Sequence, residues 1–262
     1  MNLNLREKVI IVTGGAKGIG EAIARTLAVE EAYPVIVGRS AEDNALVVEK
    51  IAALGGMAYG IEAELTRPEE CERAIRLTVE RYGRIDGLIN NAGVNDGVSL
   101  ESGNYDAFMG SLHKNVVHYY LMAHHALPYL KQTKGPIVNI GSKVAETGQG
   151  NTSAYAAANG ARNALTREWA VELLKYGIRV NAVIVAESWT PLYEKWIQTL
   201  SNPEETLDEI NRRIPLDNRM TTPEEIAQMV VFLMSKKSSH TTGQLIHVDG
   251  GYVHLDRSLV KH

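Results

Sequence analysis

Short β-branched runs alternate with longer amphipathic segments along this chain, and this alternation constrains the fold more than any other feature. The runs with strand character are Val9–Val12, Val35–Val37, Met57–Ile61, Gly87–Ile89, Ile137–Ile140, Ile178–Val183 and Gln244–Val248. The segments with helical periodicity are Gly20–Ala28, Ala45–Ala53, Pro68–Tyr82, Tyr105–Leu130, Ala154–Tyr176 and Pro223–Met234. Repeated strand–helix alternation requires parallel pairing, because each helix carries the chain back along the sheet. We therefore predict an α/β fold, a doubly wound parallel sheet of seven strands with helices on both faces.

A single domain spanning residues 1–262 is predicted, because no linker rich in Pro, Gly or Ser interrupts the alternation. One segment departs from it. Residues 190–218, polar and containing a tryptophan, precede the last strand. We predict that they form an insertion that covers a substrate.

Composition excludes several classes of function. The net charge is −4 and the basic residues are scattered, so neither nucleic acid nor an anionic membrane is an expected partner. Cys71 is the single cysteine, which rules out an intrachain disulfide and a thiolate metal site and suits a reducing compartment. No signal-peptide pattern precedes the first strand, and the apolar runs are too short to span a bilayer. These features favour a cytoplasmic protein.

The first predicted strand runs into a glycine-rich loop, Thr13-Gly14-Gly15-Ala16-Lys17-Gly18-Ile19-Gly20, from which a helix begins. Glycines let the chain turn tightly and bring its amides against a pyrophosphate, while the helix N-terminus favours negative charge. Glycines also make ordinary turns. The position at the first strand–helix junction of an alternating chain nevertheless favours a dinucleotide site.

The end of the second predicted strand bears on the choice between NADP and NAD. That strand ends at Gly38, Arg39 follows, and the next carboxylate is Glu42. NAD-selective sites usually place an acid here to accept bonds from the ribose hydroxyls, whereas a guanidinium pairs with the 2′-phosphate of NADP. We favour NADP over NAD; stacking of Arg39 on the adenine is the alternative, and it suits either cofactor.

Further candidate cofactor residues follow the third and fourth strands. Glu64, with Leu65 beside it, could reach the adenine or could be a solvated loop carboxylate. Asn91, Ala92 and Gly93 end the fourth strand, where a side-chain amide ties strand ends together and small residues leave room for the adenosine half of the cofactor.

A hydroxyl pair follows the fifth strand. Ser142 lies at the end of that strand and Tyr155 begins the next long helix. A carbon that gains or loses hydride needs one hydroxyl to hold its oxygen and a phenol to move the proton. A tyrosine has an ordinary pKa of about 10, so it acts as a base at neutral pH only where a nearby cation favours the phenolate.

These motifs together resemble the short-chain dehydrogenase/reductase family over essentially the whole chain. Its order and spacing are matched by Thr13-Gly14-x-x-x-Gly18-x-Gly20, Asn90-Asn91-Ala92-Gly93, Asn115, Ser142, Tyr155, Arg179-Val180-Asn181 and Asp249-Gly250-Gly251. The resemblance implies a Rossmann fold, NAD(P)-dependent oxidoreduction, and a homotetramer formed through the two long helices. It implies that Ser142 donates to the substrate oxygen, that Tyr155 is the acid/base and that Asn115 anchors a proton-relay water. The contacts it implies around the nicotinamide come from Tyr155, Asn159, Val185, Ser188 and Thr190.

Two positions depart from the family pattern. Asn159 stands where the family has the Lys of Tyr-x-x-x-Lys, and Asn can bond a ribose hydroxyl but carries no charge to favour phenolate. We expect activity lowered by ~10²–10⁴-fold near neutral pH. Lys143 could substitute, but its position beside Ser142 on a loop predicts a side chain in solvent. Asn159 could equally be an engineered change or natural decay. The second departure, Val185-Ala186 in place of Pro-Gly, leaves the geometry of the nicotinamide pocket open.

Within the family, stretches from the middle of the chain to its end resemble bacterial sugar-oxidising enzymes related to L-fucose dehydrogenase. They include Asn91–Gly97, Thr147–Ser153, Leu165–Ala170, Trp189–Tyr193 and Gly250–Arg257. This resemblance implies oxidation of an aldose such as L-fucose at C1. The loop residues able to bind sugar hydroxyls are Asn95, Asp96, Glu146, Gln149, Asn151, Glu187 and Trp196, with Ser142 and Tyr155 at the reacting oxygen.

Other functions are open at this point. Each sugar-binding candidate, taken singly, could be a solvated loop side chain. The alternative functions are a carbonyl or 3-oxoacyl reductase of the same family and a cofactor-binding pseudoenzyme. No metal site is predicted, because His118, His124 and His125 lack ligand spacing and read as helix-surface or interface residues.

Overall fold

The computed structural model describes residues 2–255 and contains a seven-stranded parallel sheet in the order β3-β2-β1-β4-β5-β6-β7. The strands are β1 (Val9–Thr13), β2 (Tyr33–Gly38), β3 (Tyr59–Glu62), β4 (Gly87–Asn90), β5 (Ile137–Ser142), β6 (Val180–Val185) and β7 (Leu245–Val248). The order reverses direction between β1 and β4, whose carboxyl ends open a crevice where this class of sheet binds its ligands.

Helices cover both faces of the sheet, as predicted. They are α1 (Gly18–Val29), α2 (Ala41–Ala53), α3 (Pro68–Tyr82), α4 (Tyr105–Leu112), α5 (His118–Thr133), α6 (Val144–Thr147), α7 (Ser153–Glu172), α8 (Pro191–Ile197), α9 (Pro203–Arg212) and α10 (Pro223–Met234). Apolar side chains of α3, α5 and α7 pack against one face of the sheet, and those of α1 and α10 pack against the other. The α/β sheet with two helical layers is therefore confirmed.

The bounds of α3 and α10 agree with the prediction because both helices carry strong local signals. Each begins with Pro followed by two glutamates, which suits the exposed amides of a first turn. Thr222 and Glu225 form a reciprocal capping box at the start of α10. Gly83 ends α3 in the left-handed conformation, at φ 70°.

Two predicted helices are wrong in their extent. The segment Tyr105–Leu130 is not one helix, because a π-helical turn, His113–Val117, separates α4 from α5. The segment Ala154–Tyr176 ends as an α-helix at Glu172, and a 3₁₀ turn, Leu174–Tyr176, completes it. The other predicted elements begin or end within a few residues of their observed bounds.

Residues 190–218 hold two short helices, α8 and α9. The Thr190 hydroxyl caps α8 by accepting a bond from Tyr193 N (3.2 Å). A Cβ at Gly18 would lie 3.3 Å from the Thr190 side chain, so this segment begins directly over the glycine-rich loop. Within residues 2–255, no helix has both the length and the apolar character needed to cross a membrane.

Candidate active site

A cleft of about 680 Å³ lies at the carboxyl ends of β1, β2 and β4. The structure places most of the predicted cofactor residues on its wall: Gly14, Lys17, Gly18, Ile19, Gly20, Arg39, Glu64, Leu65, Asn91, Ala92, Gly93 and Thr190. Sequence reasoning missed other wall residues, among them Ser40, Asp43, Thr66, Lys114, His118, Leu192 and Lys195. The volume suits an elongated ligand of the size of a dinucleotide.

The glycine-rich loop fits a pyrophosphate. A Cβ at Gly20 would lie 2.1 Å from the Gly14 carbonyl oxygen, and one at Gly14 would lie 2.9 Å from Ala92 Cα. Side chains at positions 14 and 20 would therefore clash with neighbouring backbone, and only glycine permits this close approach. No side chain caps the first turn of α1, so its amides are free to donate to an anionic group.

The end of the cleft beside β2 carries charge of both signs. Lys17 Nζ lies 2.6 Å from Asp43 Oδ2, and the hydrogen bond from Lys17 lowers the pKa of that carboxyl. Arg39 is exposed on the same wall and pairs with no carboxylate of residues 2–255. The strand tip is glycine for a steric reason: a Cβ at Gly38 would lie 2.6 Å from Asn44 Oδ1, whose amide ties β2 to β3. An acid at position 38 would displace that amide.

Several predicted cofactor residues support the cleft from behind its wall. The Thr13 hydroxyl accepts bonds from the amides of Asn91 (2.9 Å) and Ala92 (3.1 Å) and so ties the ends of β1 and β4 together. Gly15 packs against β1 and β2, Val185 ends β6, and Ser188 is buried beside Thr221. Glu64, which is on the wall itself, accepts bonds from both the amide and the hydroxyl of Thr66 (3.1 and 2.9 Å).

The catalytic residues implied by the family lie where β5, α7 and the π-helical turn meet. Ser142 is buried at the end of β5, and Tyr155, half-buried, is in the first turn of α7. The π-helical turn directs Asn115 inward, where its amide donates to the carbonyls of Val94 (2.9 Å) and Ser111 (3.0 Å). Such π-turns are frequent at functional sites.

The Asn159 side chain is held by two hydrogen bonds, one of them from Arg162. The Asn159 side chain is fully buried; its Nδ2 donates to the Tyr155 carbonyl (2.9 Å) and its Oδ1 accepts from Arg162 Nη1 (3.1 Å). Tyr155 and Asn159 are absent from the wall of the cleft. Arg162 went unnoticed in the sequence because a single Arg in an amphipathic helix is usually a solvated side chain.

The prediction that Lys143 points into solvent is wrong. Its side chain is 8 % exposed, forms an ion pair with Glu187 and lies 3.8 Å above the Tyr252 ring. Burial, with Glu187 beside it, raises the pKa of Tyr193. The Tyr193 ring in turn contacts Trp196 edge-on, at 5.1 Å between centroids. The sequence could not predict this cluster, because its members come from separate segments of the chain.

A second polar cluster surrounds Glu146. Its Oε2 lies 3.0 Å from His247 Nε2, and its Oε1 accepts weakly from Asn163 (3.5 Å). The His254 ring packs edge-on against His247 at 4.3 Å, so one ligand atom from each of Glu146, His247 and His254 lies within 4.8 Å of the others. Neither His247 nor His254 is among the predicted site residues. Two other predicted substrate residues, Asn95 and Gln149, are exposed on loops outside both clusters.

The prediction that His118 is a helix-surface residue is also wrong. It is 1 % exposed, its Nε2 lies 3.0 Å from the Lys114 carbonyl oxygen, and its Nδ1 has no partner among residues 2–255. Burial, and secondly the charge of Arg162, lower the pKa of His118 from 6.5 to about 3. His124 is exposed on the next turn and His125 is half-buried.

His118 should make the fold sensitive to acid. Between pH 6.5 and pH 3 the unfolded chain takes up a proton on His118 that the folded chain excludes. Its contribution is therefore present above pH 6.5 and lost as the pH falls, by at most about 1.4 kcal/mol per pH unit. We expect His118→Gln to flatten the pH dependence of the free energy of unfolding in urea, and the exposed control His124→Gln to leave it unchanged. Equal slopes in both variants would contradict this.

Comparison with known proteins agrees with the geometry. The family described as enoyl-(acyl carrier protein) reductase matches residues 14–253. Curated relatives include an L-fucose dehydrogenase from Bos taurus, 34 % identical over 93 % of this chain and 88 % of its own length. They also include a 3-oxoacyl-[acyl-carrier-protein] reductase from Thermotoga maritima, 36 % identical over 96 % of this chain and 100 % of its own length.

The structural comparison covers the whole chain. The crystal structure of Cj0485 dehydrogenase superimposes with a TM-score of 0.94 at 45 % identity, covering 100 % of both chains. The match therefore includes the sheet, the glycine-rich loop and the Ser142–Tyr155 end together. This chain belongs to the short-chain dehydrogenase/reductase family of NAD(P)-dependent oxidoreductases.

Proposed function

We propose that this enzyme oxidises an aldose such as L-fucose at C1 to the aldonolactone, with NAD(P) as the acceptor. The observation that carries the proposal is the pair of polar clusters that follow Ser142. Glu187 is held there by Lys143, and Glu146 is held by His247. The 34 % identity to an L-fucose dehydrogenase supports the same choice.

Fixed polar groups are what a sugar pocket requires. A sugar ring offers several hydroxyls, and a carboxylate with a fixed orientation accepts from them without a further ordering cost. Tyr193 lies beside Glu187 and contacts the half-exposed Trp196 edge-on, and the Trp196 ring offers an aromatic face for a sugar ring. A site for an acyl chain would instead present an apolar wall at this end.

Ser142, Tyr155 and Asn115 would each have a different role at the reacting oxygen. Ser142 donates a hydrogen bond to O1 of the sugar, and Tyr155 accepts the O1 proton as the C1–O1 bond becomes a carbonyl. Asn115 anchors a water that carries the proton onward. When bound along the glycine-rich loop, the nicotinamide cofactor supplies the acceptor for the hydride that leaves C1. The cofactor binds before the sugar, and residues 190–218 then cover the sugar and exclude water.

We propose NADP as the preferred cofactor, on the strength of Arg39. Its guanidinium stands on the cleft wall without a carboxylate partner among residues 2–255, whereas Asp43 is already paired with Lys17. Arg39→Ala should raise the Kd of NADP by about tenfold, the loss of roughly 1.4 kcal/mol of charge-assisted bonding, and leave that of NAD nearly unchanged. Titration of both cofactors measures this. Equal losses would mean that Arg39 stacks on the adenine.

A substrate panel tests the proposed reaction. Purified enzyme is given a series of aldoses with either oxidised cofactor, and 3-oxoacyl thioesters with either reduced cofactor. We expect turnover of aldoses. Turnover of the thioesters alone would favour the 3-oxoacyl reductase suggested by the Thermotoga maritima relative. Cofactor binding without turnover of either class would indicate a pseudoenzyme, the limiting case of the weakened activity expected from Asn159.

We also propose a cytoplasmic homotetramer. The α4–α5 segment and α7 present exposed apolar side chains, including Tyr105, Tyr120 and Val171, which suit a symmetric helix-to-helix contact. Light scattering at micromolar concentration should give four times the chain mass of 28.7 kDa. A mass of one chain would exclude the tetramer.

A further inference from the structure

Arg162 is a buried cation at the centre of the proposed catalytic cluster. It lies on α7 one helical turn after Asn159 and is 2 % exposed. Its Nε donates to the Asn115 carbonyl (2.6 Å), and its Nη1 donates to the Ile140 carbonyl (3.1 Å) and to Asn159 Oδ1 (3.1 Å). One guanidinium therefore bridges the π-helical turn, β5 and Asn159.

No carboxylate of residues 2–255 forms an ion pair with this guanidinium. Its centre lies 4.3 Å from the Tyr119 ring centroid and 6.0 Å from that of Tyr155. An arginine stays protonated in proteins, so burial without a counterion is costly. The positive charge is thus retained beside Tyr155 with only neutral acceptors and aromatic rings around it.

We propose that Arg162 is the positioning residue that supplies the positive charge favouring the ionised form of Tyr155, in place of the lysine that the family carries at position 159. This inference rests on the proposed function insofar as Tyr155 is the acid/base. Arg162 acts through Asn159 and Asn115, both of which it holds in place. The sequence-based expectation of weak activity assumed that no cation stood near Tyr155, and the structure removes that assumption.

The geometry makes positions 159, 162 and 93 depend on one another. A lysine at 159 would remove the acceptor of Arg162 Nη1, and its longer side chain would carry an ammonium past the position of Asn159 Oδ1, adding a second positive charge close to the guanidinium. A Cβ at Gly93 would lie 2.7 Å from Arg162 Nη2 and 2.9 Å from Asn115 Oδ1. Asn159 is therefore the partner that a buried Arg162 requires, and Gly93 leaves the guanidinium its space.

The other ionisable side chains on α7 are Tyr155, Arg167, Glu168 and Glu172. Elements packed against α7 add others, which include Tyr105, Asp106, His113, Lys114 and Glu146, while His118 and Tyr119 lie close enough to feel the charge of Arg162. Lys114 pairs with Asp96 and Glu146 pairs with His247, and none of these four side chains forms an ion pair with the guanidinium. β5 and β6 contribute no ionisable side chain. Arg162 is the single cation with a ring contact to Tyr155 among residues 2–255.

A charge-exchange series tests the proposal. Arg162→Met removes the charge at similar length and Arg162→Lys keeps it; Asn159→Lys adds a second charge, and the double variant Asn159→Lys/Arg162→Met moves the charge to the family position. The control is Arg167→Met, an exposed arginine on the same helix. We expect Arg162→Met to lower kcat by ~10²–10⁴-fold and to move the rise of the pH–rate profile to higher pH. Arg162→Lys should retain part of the rate.

The comparison of Asn159→Lys with the double variant tests the proposal most strictly. We expect Asn159→Lys alone to lower the rate and the melting temperature, and the double variant to recover the rate and the wild-type pH profile. A rate gain in Asn159→Lys alone would overturn the proposal. So would an unchanged rate and pH profile in a folded Arg162→Met. If Arg162→Met fails to fold, the double variant still decides, because an inactive folded double variant would also overturn it.

A measurement without substrate separates this proposal from the proposed function. Alkaline titration of tyrosinate absorbance is recorded for the wild type and for Tyr155→Phe, and their difference isolates Tyr155. In the Arg162→Met background that difference step should move to higher pH. It should do so even if no aldose is turned over. A step at the same pH with and without Arg162 would overturn the proposal whatever the substrate proves to be.

Discussion

Gly20→Ala should remove tight cofactor binding while leaving the sheet intact. The added methyl would lie 2.1 Å from the Gly14 carbonyl oxygen and 2.6 Å from Asn91 Nδ2, so the glycine-rich loop must move away from α1. Backbone displaced in this way costs about 3 kcal/mol, which corresponds to roughly a 100-fold rise in the cofactor Kd. Fluorescence titration with NADP and NAD measures the change.

The matched control is Gly110→Ala, on α4. A Cβ there meets nothing within 4 Å, so the change should leave cofactor affinity unaltered and raise the stability by about 0.5–1 kcal/mol. Wild-type affinity in Gly20→Ala would contradict a cofactor site on this loop. Circular dichroism of both variants distinguishes a local change in the loop from loss of the fold.

Tyr155→Phe should produce the largest loss of turnover of any single conservative change. It removes one oxygen atom and keeps the ring that lies 6.0 Å from the Arg162 guanidinium. Because the proton on the substrate oxygen then has no acceptor, kcat should fall by ~10²–10⁴-fold. The cofactor Kd should change little, since phenylalanine keeps the ring in the first turn of α7 and only the hydroxyl is lost.

Steady-state kinetics and cofactor titration on the same preparation separate the two effects. Tyr59→Phe, at a half-buried tyrosine that begins β3, is the control and should match the wild type. A rate loss of less than tenfold in Tyr155→Phe would mean that another group moves the proton.

Local signals in the sequence were sufficient for much of the fold. Pro68 and Pro223 at helix starts, Gly83 at a helix end and the capping box of Thr222 act over a few residues, so the bounds of α3 and α10 could be predicted. The glycine-rich loop could also be predicted, because its glycines permit a close backbone approach at the first strand–helix junction.

The parts that could not be predicted depend on contacts between distant segments. Lys143 is buried because Glu187, from the segment that follows β6, and the Tyr252 ring, from the segment that follows β7, both contact it. The π-helical turn at Asn115 has no periodicity of its own, and it interrupts an apolar pattern that continues through it. Arg162 is the clearest case, because two of its partners, Asn115 and Ile140, come from other elements and its helix position alone indicates nothing unusual.

The contacts of Asn159 change the role that its sequence position predicts. In the sequence it is a missing charge, and in the structure it accepts a hydrogen bond from a buried guanidinium. Reverting Asn159 to Lys alone would not restore the family arrangement, because Arg162 already occupies the space beside it. Positions 159 and 162 must therefore be substituted together, and Gly93 leaves room for the guanidinium.

Transfer of deuterium from the substrate tests the central claim most directly. L-Fucose carrying deuterium at C1 is incubated with the enzyme and oxidised cofactor, and both products are analysed by mass spectrometry. The proposed function predicts one deuterium in the reduced nicotinamide and an unlabelled fuconolactone in equal amounts. Recovery of unchanged labelled sugar with no reduced cofactor, from enzyme that binds the cofactor and reduces 3-oxoacyl thioesters, would contradict it.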